Sequence, residues 1–360
     1  MRRFPILYYL LVFAPVAIIA RIINLDPVIV FVLSAFGLIP LAKLIGDATE
    51  ELAIFTGPKL GGLLNATLGN AAELIITIFA LQAGLVDLVR ASITGSIIGN
   101  LLLVLGFSIV AGGWKYGIQT FDRRSASNSA VLAVLAVVAL AIPSLFDRAL
   151  KTVPSSELFF SEGVAVVLIV LYGLNILYSF RSKDGDKEAK EFGEAAEEEQ
   201  GKWSLRLSIG VLIGATIATA LVSETLVGAV EPVVAKLGLT EFFVGIIIIP
   251  LVGNIAEHVV AVQVALKNKM ELSIAVSLGS SLQIALFVAP VLVFISLLFN
   301  NRMLLVFNDF ELIALFGASL IAALIALDGE SNWLEGAMLL AVYLIAGLAF
   351  FSLPPHAAIP

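Results

Sequence analysis

Runs of apolar residues, broken by charges, prolines and glycines, recur at about 6–23, 27–46, 60–83, 85–111, 126–146, 161–180, 205–228, 241–266, 270–298, 309–327 and 333–353. Most approach or exceed the roughly 20 residues that a helix needs to cross a bilayer core. The pattern predicts an all-α integral membrane protein with eleven transmembrane helices. Spans 8 and 9 are separated by only a short turn, Lys267 to Glu271. Met1-Arg2-Arg3 before the first run resembles the start of a signal peptide. That run lacks a convincing small-residue cleavage site and is long enough to span, so it reads as the first membrane helix.

Two stretches of this pattern match each other without a gap: residues 69–106 and 253–290, offset by 184. Gly69-Asn70-Ala71-Ala72-Glu73 faces Gly253-Asn254-Ile255-Ala256-Glu257, and Gly95-Ser96 faces Gly279-Ser280. Each copy sets one glutamate inside a long apolar run. A charged side chain at the bilayer centre costs about 2.5–3.5 kcal/mol on insertion scales, so two acids at matched points of a duplicated sequence point to function. Span 3 carries Glu73 and span 8 carries Glu257, five spans apart. An odd separation makes the two segments cross in opposite directions, the plan of inverted-repeat transporters with a midplane site. The expected organisation is a first helix outside the duplication (1–26), a five-helix repeat (27–180, spans 2–6), an acidic linker (181–204) and a second, inverted five-helix repeat (205–360, spans 7–11). Spans 3, 4, 8 and 9 form the expected four-helix core.

Composition narrows the classes. Sixty per cent of the 360 residues are hydrophobic and 14% charged, against about 25% charged in soluble domains, and the mean hydropathy is +1.04. A separate soluble domain is not expected. The absence of cysteine excludes disulfides, thiolate metal sites and cysteine nucleophiles. Of the 21 Lys and Arg residues, 15 fall on one side when the N-terminus is placed inside. The positive-inside rule then puts the N-terminus in the cytoplasm and the C-terminus outside. Much of the net charge of −7 sits in the linker, which reads as a solvated spacer or as an acidic helix that gathers or senses divalent cations.

Helical spacing groups the candidate polar residues. Gly69, Asn70, Glu73 and Thr77 share one stripe of span 3, and Gly253, Asn254 and Glu257 the corresponding stripe of span 8. Ser92, Ser96 and Asn100 align on span 4. On span 9 Ser277 and Ser281 align, and Ser280 lies three residues from Gln283. All offer oxygen and none sulfur, a hard set that suits Ca²⁺. Transition metals fit less well, since His258 is the sole intramembrane imidazole. Each residue also has a plainer reading. Serines at helix spacing serve packing, Asn70 and Asn254 can be hydrogen-bonding glue, and His258 can be a satisfied core residue or gate element.

These stripes resemble the cation/proton exchanger (CAX) family, the Ca²⁺/H⁺ antiporters of the wider Ca²⁺/cation antiporter superfamily. Gly69 to Ile75 with Ser92 to Gly106 looks like that family's first repeat motif, and Gly253 to His258 with Ser277 to Phe287 like its second. The resemblance implies that Glu73 and Glu257 are the central acids and Gln283 an accessory residue. The Gly-Asn-x-x-Glu form with Gln283 and His258 argues for the proton-coupled branch over the sodium-coupled one. Residue chemistry and resemblance converge on antiport through one shared site. Cation and protons compete for Glu73 and Glu257 beside Gly69, Asn70, Gly253 and Asn254. Ser96, Asn100, Ser280, Ser281, Gln283 and His258 are the accessory lining. Expected cargo is Ca²⁺, exported in exchange for protons across a prokaryotic cell membrane, with no organic cofactor and no nucleic-acid partner. The alternatives are a sodium/calcium exchanger, a monovalent cation/proton antiporter and a cation channel. A membrane-embedded enzyme is disfavoured: Glu257-His258 is no His-Glu-x-x-His motif, and no serine sits in a nucleophile elbow.

Overall fold

In a computed structural model, the described residues are 6–57, 61, 64–65, 67–150, 154–181 and 203–353. The acidic run from Glu188 to Glu199 and most of the linker therefore lie outside the described residues. Among the described residues the chain folds into helices α1 (Leu7–Ile22), α2 (Pro27–Thr56), α3 (Ala71–Gln82), α4 (Val86–Tyr116), α5 (Arg123–Leu150), α6 (Pro154–Arg181), α7 (Leu205–Leu237), α8 (Glu241–Leu266), α9 (Met270–Ser296), α10 (Asp309–Ala326) and α11 (Trp333–Phe351). Nine of them are long and apolar enough to cross a membrane, whereas α1 and α3 are shorter. The helices follow the expected spans in order, and several exceed them. Pattern reading ends a span at its last apolar run, but α2 continues through Asp47, Glu50 and Glu51 to Thr56, and α4 continues to Tyr116.

The core is built from α3, α4, α8 and α9, each of which packs against the other three. Around it the contacts come in mates: α3 packs on α7 and α8 on α2, while α4 packs on α11 and α9 on α6. In addition, α5 lies against α10, and α1, α2 and α7 pack on one another. Lipid-soluble side chains gain little from leaving lipid, so small residues that let backbones approach take over part of the packing. The crossing of α4 and α8 shows how close that approach is. A methyl group on Gly245 would lie 2.7 Å from the Leu88 carbonyl oxygen, and one on Gly95 would overlap the Ile246 carbonyl. Substituting either glycine would force the two glutamate-flanking helices apart.

Each of α4 and α9 contains a π-helical segment, Gly99–Val104 and Ile284–Val288. Under the 184-residue offset these segments occupy the same place in the two halves. Such widened turns recur at functional sites, and both begin just beyond the site serines Ser96 and Ser280.

Candidate functional site: paired acids at the junction of two halves

Glu73 lies in the first turn of α3, whose N-cap is Asn70. Gly69-Asn70 forms a turn there, separating α3 from the helical residues before it. In the other half the equivalent Gly253-Asn254 lies inside an unbroken helix, and Glu257 follows one turn on. Glu73 is 3% exposed. Its Oε1 accepts from the Asn254 amide at 2.6 Å and from the Ser96 hydroxyl. Asn254 also donates to Ser96 at 3.2 Å. Glu257 Oε2 accepts from the Ser280 hydroxyl at 2.5 Å. In both halves, then, the glutamate takes a hydroxyl from the serine 23 residues further on.

The halves also interlock. A methyl on Gly253 would lie 2.7 Å from Glu73 Cγ, and one on Gly69 would lie 3.2 Å from Glu257 Oε1. Each acid thus rests against the glycine that precedes the other acid by four residues. Only a residue without a side chain leaves that room. Asn70 spans the junction differently from its counterpart, donating to Gln283 Oε1 at 2.6 Å.

Of the sequence-predicted residues, Glu73, Glu257, Gly69, Asn70, Gly253, Asn254, Ser96, Ser280 and Gln283 are brought together. The Ser281 hydroxyl is turned back onto its own helix, donating to the Ser277 carbonyl at 2.9 Å, and Ser277 does the same to Ser273 at 3.0 Å. Thr77 likewise donates to the Glu73 backbone carbonyl at 2.7 Å. These three serve their helices. Asn100 is 1% exposed, and among the described residues its amide nitrogen has no hydrogen-bond partner; His258 Nε2 is buried without one as well. A buried polar atom without a partner costs about 1–3 kcal/mol, so both mark positions where packing was not the only requirement.

Asn70 Oδ1 and Glu73 Oε2 are buried acceptors with no hydrogen-bond partner among the described residues. Two unpartnered acceptor oxygens beside a second carboxylate suit a hard cation as substrate. No cluster of three or more His, Asp or Glu occurs among the described residues, so amide, hydroxyl and backbone oxygens would complete any cation shell. Sequence reasoning overlooked Glu311, which is 3% exposed. It accepts from Thr94 at 3.1 Å and from the Asn308 amide at 2.8 Å. It closes a capping box on α10, and Asn308-x-x-Glu311 was the available signal.

Fold and site together define a multi-pass helical membrane protein with paired acids where two similar halves meet. The family model described as sodium/calcium exchanger protein matches residues 27–181 and 207–352, and the chain belongs to that family. It is 45% identical over 361 residues to a Ca(2+)/H(+) antiporter of Aphanothece halophytica, covering 97% of each chain. It is 42% identical to the Ca(2+)/H(+) antiporter ChaA of Bacillus subtilis, covering 96% of this chain and 99% of that one. The structure of native YfkE superposes with a TM-score of 0.83 at 40% identity, covering 97% of this chain and all of that one.

Proposed function

We propose that this protein exchanges Ca²⁺ for protons across a membrane by alternating access, with Glu73 and Glu257 as the shared site. The observation that carries the assignment is the interlocked pair of acids, each held by a serine of its own half and seated against a glycine of the other. The family membership and the full-length antiporter relatives support the same reading.

The coupling follows from electrostatics. Burial and mutual repulsion both disfavour two ionised carboxylates in one site. A Ca²⁺ ion neutralises both, and protons neutralise them one by one, in steps that belong to the pair. The loaded states of low energy are therefore Ca²⁺-bound or protonated. An empty, doubly charged site is costly to carry through the occluded intermediate, so neither ion crosses alone. Asn70, Asn254, Gly69 and Gly253 complete the binding shell in this reading; Ser96, Asn100, Ser280, Gln283 and His258 line it.

The two matched segments of the family model and the mated helix contacts support the division into repeats 27–180 and 205–360 around a pseudo-two-fold axis, with 1–26 and the 181–204 linker outside it. With the N-terminus in the cytoplasm and the C-terminus outside, the direction is Ca²⁺ export from a prokaryotic cell against inward proton flow. The ties of Arg21 to Glu224 and of Lys236 to Asp26 join α1 and α2 to α7, consistent with these helices moving together against the core.

The test is Ca²⁺ uptake into everted vesicles under an imposed pH gradient. Uptake is expected in the unmodified protein and lost in Glu73→Gln and Glu257→Gln. Uptake that persists in either variant, or that requires a sodium gradient instead, overturns the assignment.

A further inference from the structure

The duplicated sequence supplies an internal control for how each glutamate helix ends. After α3 and after α8 the backbone makes the same turn. Leu85 N donates to Ala80 O and Lys269 N to Val264 O, each at 2.9 Å. Gly84 N donates to Leu81 O at 3.1 Å and Asn268 N to Ala265 O at 3.0 Å. Gly84 and Asn268 both have positive φ, 86° and 61°. All four pairings obey the 184-residue offset.

What grips the two ends differs. At the end of α8, Lys115 Nζ and the Tyr116 hydroxyl each donate to the Leu266 carbonyl at 2.8 Å. Gln119, 2% exposed, donates to the Ala265 carbonyl at 3.2 Å and to Asn268 Oδ1 at 2.8 Å. Gly112 admits this contact, since a methyl there would overlap Gln119 Oε1. Gln119 itself is held in β1 (Gln119–Thr120), which pairs antiparallel with β2 (Glu330–Ser331). Phe121 N reinforces that pairing by donating to Gly329 O at 3.0 Å. At the end of α3, by contrast, the side-chain hydrogen bond among the described residues is a single long one, from Asn301 to the Leu81 carbonyl at 3.4 Å. The offset places Phe299, Asn300 and Met303 where the other half has Lys115, Tyr116 and Gln119.

The last carbonyls of a helix lack intrahelical partners and carry partial negative charge, so a lysine, a phenol and an amide gathered there bind firmly. Ala265 lies eight residues beyond Glu257, about 12 Å along the helix, on a segment without a break. A grip at that end therefore sets the height and rotation of Glu257. Glu73 stands on a helix interrupted at Gly69-Asn70 and lightly held at its far end.

We propose that Lys115, Tyr116 and Gln119 are positioning residues for Glu257: they clamp α8 to α4, making Glu257 the firmly anchored wall of the site and Glu73 the wall with the greater freedom within the core. The proposal deepens the exchanger reading given above and rests on it.

The cysteine-free chain permits a direct test with paired spin labels. Ile118 with Lys267 reports on the clamped end, and Ala83 with Asn300 on the lightly held end; all four positions are exposed. Distances are measured in Ca²⁺ at alkaline pH and without Ca²⁺ at acid pH. The 118–267 distance is expected to stay within about 1–2 Å, while the 83–300 distance shifts by more, on the scale of helix motions at interfaces. A 118–267 change equal to or larger than the 83–300 change overturns the proposal.

The second arm cuts the clamp with Lys115→Met, Tyr116→Phe and Gln119→Ala together, and with Tyr116→Phe alone as a variant that keeps the ring. The triple variant is expected to broaden the 118–267 distribution. It should also raise the KM for Ca²⁺ by roughly 3- to 10-fold, the loss of about one hydrogen bond's worth of placement, with kcat retained. Lys115→Arg, which keeps the donor, should leave KM near the unmodified value. A triple variant with an unchanged distribution, or with KM unchanged and only thermal stability lowered, shows a plain helix cap and overturns the positioning role. Comparing distances in cut and uncut protein requires no transport. Absence of Ca²⁺ uptake in the unmodified protein would thus strike the exchanger reading and leave the tether measurable.

Discussion

Glu73 and Glu257 occupy equivalent places in a duplicated sequence, yet their surroundings are not equivalent. Both accept a serine hydroxyl from 23 residues downstream, and both rest against a glycine of the opposite half. Only Glu73 also accepts an asparagine from across the junction: Asn254 reaches it at 2.6 Å, while the matching Asn70 turns to Gln283. Only the helix of Glu73 is interrupted at its Gly-Asn pair. An asymmetric site on a symmetric plan is what alternating access needs.

Substitutions can break that comparison. The largest effect is expected from Glu73→Gln and Glu257→Gln, each of which should reduce pH-driven Ca²⁺ uptake to background; uptake surviving in either variant would overturn the paired-acid site. Next comes Asn254→Ala, which removes a hydrogen bond to a carboxylate. At about 1.5–3 kcal/mol for such bonds, the half-saturating Ca²⁺ concentration should rise roughly 10- to 100-fold.

Ser96→Ala and Ser280→Ala sharpen the symmetric part. Because the two hydroxyls do the same task in the two halves, their effects on Ca²⁺ half-saturation should agree within about threefold, a spread below 1 kcal/mol. A large difference in isotope uptake would show that one serine is merely packing. Gln283→Ala breaks a bond between neutral amides, worth about 0.5–1.5 kcal/mol, so a change of roughly 2- to 10-fold is expected, smaller than that of Asn254→Ala.

The smallest effect is expected at the outer tie between α2 and α7. Lys236 and the Val28 amide hold the Asp26 carboxyl below its ordinary range. A depressed acid contributes its tie above the ordinary value of about 3.9 and loses it only as pH falls through the lowered one. The tie is therefore constant from pH 5 to 8, and Lys236→Met should leave the pH profile of uptake unchanged. An altered profile in that range would make Asp26 part of the proton route.

Much of this molecule was legible in the chain. Apolar runs located the helices because a backbone in lipid must satisfy its own hydrogen bonds, which leaves helices as the economical solution. Two glutamates in such runs stood out for the same reason that they are costly. The gapless repeat also pointed to the partners at i−4 and i−3, since helix geometry turns spacing into a shared face. Other features were hidden. Ser280 and Ser281 are neighbours of the same type, yet one hydroxyl reaches Glu257 and the other its own helix. The helix ends at Thr56 and Tyr116 were missed because charges within a helix look like its boundary.

By itself, the sequence determined that this protein lives in a membrane, that two of its stretches match without a gap, and that each sets an acid inside an apolar run. Those properties follow from local chemistry: residue hydrophobicity, the period of a helix, and the cost of charge in lipid. Tertiary structure alone decided which glycine faces which acid, that Asn254 and not Asn70 serves a glutamate, and that Lys115, Tyr116 and Gln119 close on a helix end some 150 residues away. Contacts of that kind depend on the relative placement of helices, which no spacing along a single chain encodes.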